Sequence, residues 1–172
     1  MGFIKYGSLD AHGAPILRGE VITNSIVTTV GDSVKMASGF IALGTAGASV
    51  FGHVVGISTK KDVGVSSSGA AGADFGSFVG TYTAASDNQT VGLVKAICDI
   101  SQTSLWSGEL SAAIGTTTGS NLTGYRMDLT DEDTLNESSA ATTTAQYATW
   151  GVDARNSARA VVSILESSVF NT

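Results

Sequence analysis

Carboxylates are the most concentrated chemically active groups in this chain, in the segment from residue 128 to residue 137. Oxygen ligands at this density could bind calcium, and the five carboxylates are Asp128, Asp131, Glu132, Asp133 and Glu137. The segment lacks the central glycine of an EF-hand loop and the regular alternation of its ligands. We therefore interpret residues 128–145 as an exposed acidic loop that holds no metal.

Histidine and cysteine, the usual zinc ligands, are scarce. The chain has two histidines, His12 and His53, and a single cysteine, Cys98. Neither histidine has cysteine or carboxylate neighbours at the close spacing of a zinc site. A Ser-His-Asp triad depends on geometry, and the chain has no GxSxG motif to indicate a nucleophile. We predict that His53 lies in a strand, facing solvent or an interface, and that Cys98 is a buried structural thiol.

Glycines recur in the stretch KKDVGVSSSGAAGADFG, residues 60–76, but this stretch is a poor match to a phosphate-binding loop. Gly69, Gly72 and Gly76 are not followed by GK[ST], and no helical pattern comes after them. We predict a loop of small residues here. Because no other motif indicates a catalytic group, a cofactor site or a metal site, we predict that the protein is not an enzyme.

The charge balance excludes two classes of partner. The formal net charge is −6, the isoelectric point is about 4.6, and the longest basic run is Lys60-Lys61. Nucleic-acid binding depends on clustered basic residues that contact phosphates, and an acidic surface is repelled by anionic lipids. The chain has no apolar run of membrane-spanning length and no signal-peptide core. We predict no nucleic-acid partner, no membrane partner and synthesis in the cytosol.

The elements that must position these residues are strands. Between Gly31 and Thr59, short apolar runs are separated by glycine and aspartate, as in VKM and FGHVVGI, a pattern typical of a meander of β-strands. Hydrophobic residues make up 42% of the chain and charged residues 14%, whereas serine and threonine number 22 and 20. A surface that depends on hydroxyl groups for its solubility is more common in β-structured assembly proteins than in enzymes.

We divide the chain into an N-terminal arm, residues 1–20, and a single β-rich domain, residues 21–172. The arm mixes apolar residues with turn formers and has no helical or strand period. In residues 101–121 the glycines limit any helix to a short turn. We therefore expect an all-β fold, a sandwich or a small barrel with an extended N-terminal arm and little helix, in which further strands lie at residues 121–129, 147–155 and 158–170.

The series of strands and turns resembles that of the capsid decoration, or cement, proteins of tailed bacteriophages. The segments that carry the resemblance are VGDSVKM, GTAGASVFGHVVGIST, GSNLTGYRMDL, WGVDAR and ARAVVSILESSVF. The resemblance implies a β-rich protein without catalytic activity that binds the outside of an icosahedral shell. It also implies the major capsid protein as partner, a homo-oligomer, with a trimer favoured, and a location on the virion surface after synthesis in the host cytoplasm.

On this interpretation the functional residues are contact residues. Apolar residues of the arm and the two tryptophans are the candidates for the interface: Phe3, Ile4, Tyr6, Ile16, Leu17, Trp106 and Trp150. Three other functions stay open. A phage tail or fibre component would have the same composition, a carbohydrate-binding β-module would expose a tryptophan, and an enzyme would place His12 or His53 beside a carboxylate in a pocket.

Overall fold

The computed structural model describes residues 2–10, 14–58, 78–92, 94–112, 122–137 and 145–165. Strands account for 57% of these residues and helix for 3%, which confirms the predicted all-β fold. The elements are β1 Ile4–Ser8, β2 Leu17–Val21, β3 Val27–Thr29, β4 Ser33–Ala37, β5 Phe40–Leu43, β6 Gly52–Ser58, β7 Phe78–Val79, β8 Thr81–Thr83, α1 Asn88–Val91, β9 Lys95–Asp99, β10 Ser104–Leu110, β11 Arg126–Asp131, β12 Thr134–Asn136, β13 Tyr147–Asp153 and β14 Asn156–Ile164.

The predicted meander is present in β4, β5 and β6. Ala37 pairs with Phe40 across β4 and β5, so that only Ser38 and Gly39 form the turn. Both turn residues have positive φ, 51° and 85°. Two positive φ angles match the two-residue hairpin turns whose twist suits the flanking strands.

The C-terminal sheet, made of β1 and β10–β14, closes on itself. One edge of β10 pairs with β14, and its other edge pairs first with β1 and then with β12. The strands β10, β12, β11, β13 and β14 follow one another around the sheet, and the pairing of β14 with β10 closes it. Alternate side chains of these strands point to the inside, because successive strand residues face opposite sides. The buried cluster of this small barrel contains Phe3, Trp106, Leu110, Met127, Leu129, Leu135, Tyr147, Ala160, Val162 and Ile164.

The N-terminal sheet has the order β2-β9-β6-β4-β5, with β7 paired to β6. A parallel bridge between Ile22 and Ile41 joins the end of β2 to β5, and the Thr23 amide donates to the Ile41 carbonyl at 2.8 Å. This sheet therefore also curves into a ring around its own apolar cluster, which contains Ile22, Val34, Ile41, Val54, Ile57, Ala84, Val94, Ala96 and Cys98. Strands β3 and β8 form a separate two-stranded sheet.

Buried contacts join the two large sheets. The Ser33 amide donates to the Glu132 carbonyl at 2.6 Å, and the Ser33 and Tyr147 hydroxyls share a hydrogen bond of 2.8 Å. The Gln146 side chain donates to the Thr45 carbonyl at 2.9 Å. The prediction that residues 21–172 form one domain stays a prediction.

Three sequence-based predictions need correction. Residues 4–8 and 17–20, which belong to the arm for which we predicted no strand period, form β1 and most of β2 at the edges of the two sheets. Within residues 101–121, where we allowed a short helical turn, residues 104–110 form β10, a strand of the barrel. The predicted loop at 128–145 begins inside β11 and includes β12; its residues 138–144, like the predicted loop at 60–76, lie outside the described residues.

Candidate interaction surface

The structure divides the seven predicted interface residues into two groups. Phe3 and Trp106 are only 3% and 2% exposed and belong to the core of the C-terminal barrel, so that the prediction of these two as surface contacts is wrong. The other five are exposed by 40–60%: Ile4, Tyr6, Ile16, Leu17 and Trp150.

Four of the five exposed residues lie on, or directly before, the two N-terminal edge strands. Ile4 and Tyr6 are two residues apart on β1, Leu17 is the first residue of β2, and Ile16 directly precedes it. Leu9, which the sequence analysis missed, is 45% exposed. Its amide donates to the Thr103 carbonyl at 2.8 Å, and the Ile16 carbonyl accepts from the Ile100 amide at 2.9 Å.

Both ends of the segment from Leu9 to Ile16 are therefore held against the turn between β9 and β10. This turn brings the ends of β1 and β2 together. We name the exposed apolar side chains of β1, of the start of β2 and of the chain ends between them the N-terminal edge surface; it comprises Ile4, Tyr6, Leu9, Ile16 and Leu17. Edge strands expose unpaired backbone groups as well as side chains, and such edges are common sites of protein association.

Trp150 lies apart from this surface, on β13, which has no pairing with β1 or β2. Its indole Nε1 donates to the Ser163 hydroxyl at 3.0 Å, which fixes the ring against the outside of β14. Trp150 is 48% exposed. A fixed, half-exposed indole ring can contact an apolar partner or the face of a sugar.

An ion pair between an exposed lysine and a buried aspartate attaches β1 to the N-terminal sheet. Lys5 Nζ donates to Asp99 Oδ2 at 2.6 Å and also contacts the Ser104 hydroxyl. Asp99 is 1% exposed and accepts two further hydrogen bonds, from the Ser101 amide at 2.9 Å and the Ser104 hydroxyl at 2.7 Å. Lys5 Nζ also lies 4.9 Å from the centre of the Trp106 ring. Removing the Lys5 charge would leave the buried Asp99 carboxylate without its cationic partner, which is costly, whereas the Lys5 side chain is 39% exposed and in reach of water.

A second polar cluster attaches the chain before β1 to β10 and β14. Arg159, 5% exposed, donates from Nε to the Ser107 hydroxyl at 2.9 Å and from a terminal nitrogen to the Gly2 carbonyl at 2.7 Å. The Ser107 hydroxyl donates to Asp153 at 2.6 Å. Arg155 makes two hydrogen bonds to the Asp153 carboxylate, both 3.0 Å, and holds the pKa of Asp153 far below its usual range.

Acidic residues line a cleft of about 440 Å³ between the two sheets, with Asp32, Glu132 and Asp133 among its walls. Burial, and then the negative charges of Glu132 and Asp133, raise the pKa of Asp32 to about 6, although the Thr29 amide donates to its carboxylate at 2.7 Å. In the described ranges, no group of three or more His, Cys, Asp or Glu side chains is arranged to hold a metal ion.

His53 is not in contact with the solvent, contrary to the prediction for this residue. It is fully buried between aromatic rings at the junction of the two sheets, and burial lowers its pKa to about 3. His12 lies outside the described residues. Cys98 is buried as predicted, and burial raises the pKa of its thiol to about 12. The described residues contain no helix long and apolar enough to span a membrane.

Comparison of the chain with protein-family models, with curated proteins and with solved structures found no match.

Proposed function

We propose that this chain is a structural protein of a virion that binds the outer surface of an icosahedral capsid lattice and stabilises it. The observation that carries the proposal is the N-terminal edge surface. Its five large apolar side chains are each at least 40% exposed. Large apolar side chains that are exposed together on a surface are typical of a site of association.

The composition of the chain also supports a role in assembly. Its 42 serine and threonine hydroxyls supply polar contacts at a flat interface without the desolvation cost of many charges. The all-β fold provides sheet edges, on which a partner segment can add a strand. Each contact is weak, but several copies joined as a homo-oligomer, with a trimer favoured, bind far more tightly than one because the later contacts are intramolecular.

The partner is then the major capsid protein in its assembled form. A protein that binds the assembled lattice and not the free subunit adds its binding free energy to the stability of the lattice. No cofactor and no catalytic step enter this mechanism.

The test is co-sedimentation of the chain with shells assembled from a major capsid protein, taken from the genome that encodes this chain. The variant that carries Ile16→Ser and Leu17→Ser removes two side chains that are 60% and 55% exposed. The matched control carries Val27→Ser and Val91→Ser, which are 51% and 45% exposed on β3 and α1. We expect both variants to keep the melting temperature of the wild type, because exposed side chains contribute little to stability.

We expect the first variant to lose at least tenfold in affinity for shells and the control to bind as the wild type does. Equal binding of the two variants would exclude the N-terminal edge surface as the contact. Absence of binding by the wild-type chain to any shell would contradict the capsid proposal itself. Binding to phage tails or fibres instead of heads would favour the alternative that the chain is a tail or fibre component.

A carbohydrate-binding module is the second candidate, and the fixed, half-exposed ring of Trp150 favours it. Aromatic rings that bind sugars are commonly presented in this manner. A glycan array with the wild-type chain and with Trp150→Ala separates the two functions. Binding that is lost in Trp150→Ala would support the module, whereas no binding by the wild-type chain would eliminate it.

A further inference from the structure

The junction between the two sheets contains a histidine, His53, whose side chain makes no hydrogen bond. The centre of the His53 ring lies 4.3 Å from Phe3, 4.6 Å from Trp106 and 5.6 Å from Tyr147. Both ring nitrogens of His53 and the indole nitrogen of Trp106 are buried without a hydrogen-bond partner. A neutral imidazole tolerates such an apolar box, but an imidazolium has two N–H donors that need acceptors.

The charged groups around this box are unfavourable to a second cation. From β1, Lys5 Nζ lies over the Trp106 ring, and its charge acts to lower the pKa of His53. From β9, Asp99 is directly opposite His53 in the strand register. Its carboxylate already accepts hydrogen bonds from Lys5, the Ser101 amide and the Ser104 hydroxyl.

Among the described residues, the nearby polar groups of the remaining elements already hydrogen-bond to other partners. From β13, the Tyr147 hydroxyl is bonded to the Ser33 hydroxyl of β4. The Asp32 carboxylate, one residue before Ser33, accepts from the Thr29 amide. An imidazolium at this junction would therefore compete with Lys5 for Asp99 and repel Lys5.

Strand β1 is the element that can separate from the rest of the protein. It is an edge strand whose one strand partner, among the described residues, is β10. It is preceded by Phe3, whose ring stacks on Tyr147 at 5.4 Å and covers His53. Withdrawal of Phe3 and loss of the pair between Lys5 and Asp99 would give water access to the imidazole. Edge elements with few partners are the ones that open locally while the rest of a fold stays intact.

We propose that protonation of His53 opens this junction and releases β1 from the body of the protein, as a pH-sensitive latch. The proposal goes beyond capsid binding and does not depend on it. Its consequence is that the part of the chain that carries Ile4, Tyr6 and Leu9 is held closed at neutral pH and opens more often in acid.

The size of the effect follows from proton linkage. The pKa of His53 is about 3 when buried and about 6.5 when exposed to water. Any opening that exposes the imidazole therefore becomes about 30-fold more favourable between pH 8 and pH 5. The protection of β1 amides against hydrogen exchange should fall by the same factor, after correction for the intrinsic exchange rate.

The experiment is hydrogen exchange of the full chain at pH 8 and pH 5, read by mass spectrometry of peptides from residues 2–9 and from β14. We expect the β1 peptide to lose about 30-fold in protection in acid and to exchange faster than β14 at both pH values. Equal protection of β1 and β14 at pH 5 would mean that the chain opens only globally, which would overturn the proposal.

Two variants test the role of the imidazole. His53→Leu should remove the pH dependence of β1 protection, and an unchanged 30-fold fall in this variant would overturn the proposal. Lys5→Met removes the repelling cation and should reduce the fall. If His53→Leu does not fold, proton titration of the wild-type imidazole by NMR decides the matter, with His12→Gln to assign the signal. A His53 pKa near 6.5 in the folded chain would contradict the latch.

Discussion

The N-terminal residues contribute to the core of this protein, and Phe3→Ala tests that contribution. The Phe3 ring fills the C-terminal barrel and is 3% exposed. Replacing a buried phenylalanine by alanine costs about 3–5 kcal/mol, because the transfer free energy is lost and a cavity remains. Ile4→Ala is the matched control at the next residue, where the side chain is 42% exposed and the expected cost is about 0.5 kcal/mol.

A second substitution makes the test specific for the position of the ring. A Cβ atom at Gly108 would lie 2.5 Å from Phe3 Cε1 and 2.7 Å from Leu135 Cδ1. Gly108→Ala should therefore cost about 1–3 kcal/mol from overpacking. In the Phe3→Ala background one of the two obstructing groups is gone, and we expect the double variant to be about 1 kcal/mol more stable than the sum of the single effects.

The assay is equilibrium unfolding in urea, with thermal melts as a second measurement. For a chain of this length, about 3–5 kcal/mol corresponds to a fall of roughly 10 °C in melting temperature. The reasoning is refuted if Phe3→Ala costs no more than Ile4→Ala, because the N-terminal segment would then not be packed in the barrel. Strict additivity of Phe3→Ala and Gly108→Ala would show that the two residues do not meet.

Three further predictions concern buried polar groups. Because the pKa of Asp32 is raised to about 6, the folded state favours the protonated carboxyl, and the wild type loses stability as pH rises from about 4 to 6. Asp32→Asn should therefore have a larger free energy of unfolding in urea than the wild type at pH 8. This difference should disappear below about pH 4. Arg159→Met removes a 5%-exposed guanidinium bonded to Ser107 and Gly2 and should lower the free energy of unfolding by about 3–5 kcal/mol. Arg155→Met, at a position 60% exposed, should lower it by less, and equal losses in the two variants would contradict the difference in burial. The Cys98 thiol should react with a thiol reagent such as Ellman's only after unfolding, and rapid reaction of the native chain would show that the N-terminal sheet opens readily.

Local sequence patterns were sufficient to predict the strands that are rich in β-branched residues or bounded by glycines. The run VVSIL lies in β14, and the meander between Gly31 and Thr59 is present, because β-branched and glycine residues act on the backbone near them. Strand β10 was missed because Gly108 was interpreted as a limit to a helix. The alternation of Trp106, Gly108 and Leu110 with polar residues is the strand signal that was present.

The polar contacts of the site could not be predicted in this way, because they join residues that are distant in sequence. Lys5 and Asp99 are 94 residues apart, and Arg159 and Gly2 are 157 apart. His53 lies in a strand pattern that fits solvent, interface or core equally well. Its burial depends on Phe3 and Trp106, which reach it only after both sheets have formed.

Of the seven interface candidates, five are exposed and two are buried, and the interface role of the exposed ones stays a prediction. Ile4, Tyr6 and Leu17 lie on β1 and at the start of β2, which are edge strands. Phe3 was predicted to be a contact residue because it is apolar and lies near these residues in sequence, but its side chain is buried in the core of the C-terminal barrel. Composition alone does not separate an apolar residue that a sheet covers from one that it leaves open.

The thermal resistance of virus particles with and without this protein tests the central claim most directly. Particles would be heated in the presence of a dye that fluoresces on released DNA, first bare and then after addition of the purified chain. We predict that decorated particles release DNA at a higher temperature than bare ones and that the variant with Ile16→Ser and Leu17→Ser gives no such increase. The same release temperature for bare and decorated particles would contradict a stabilising role for this protein.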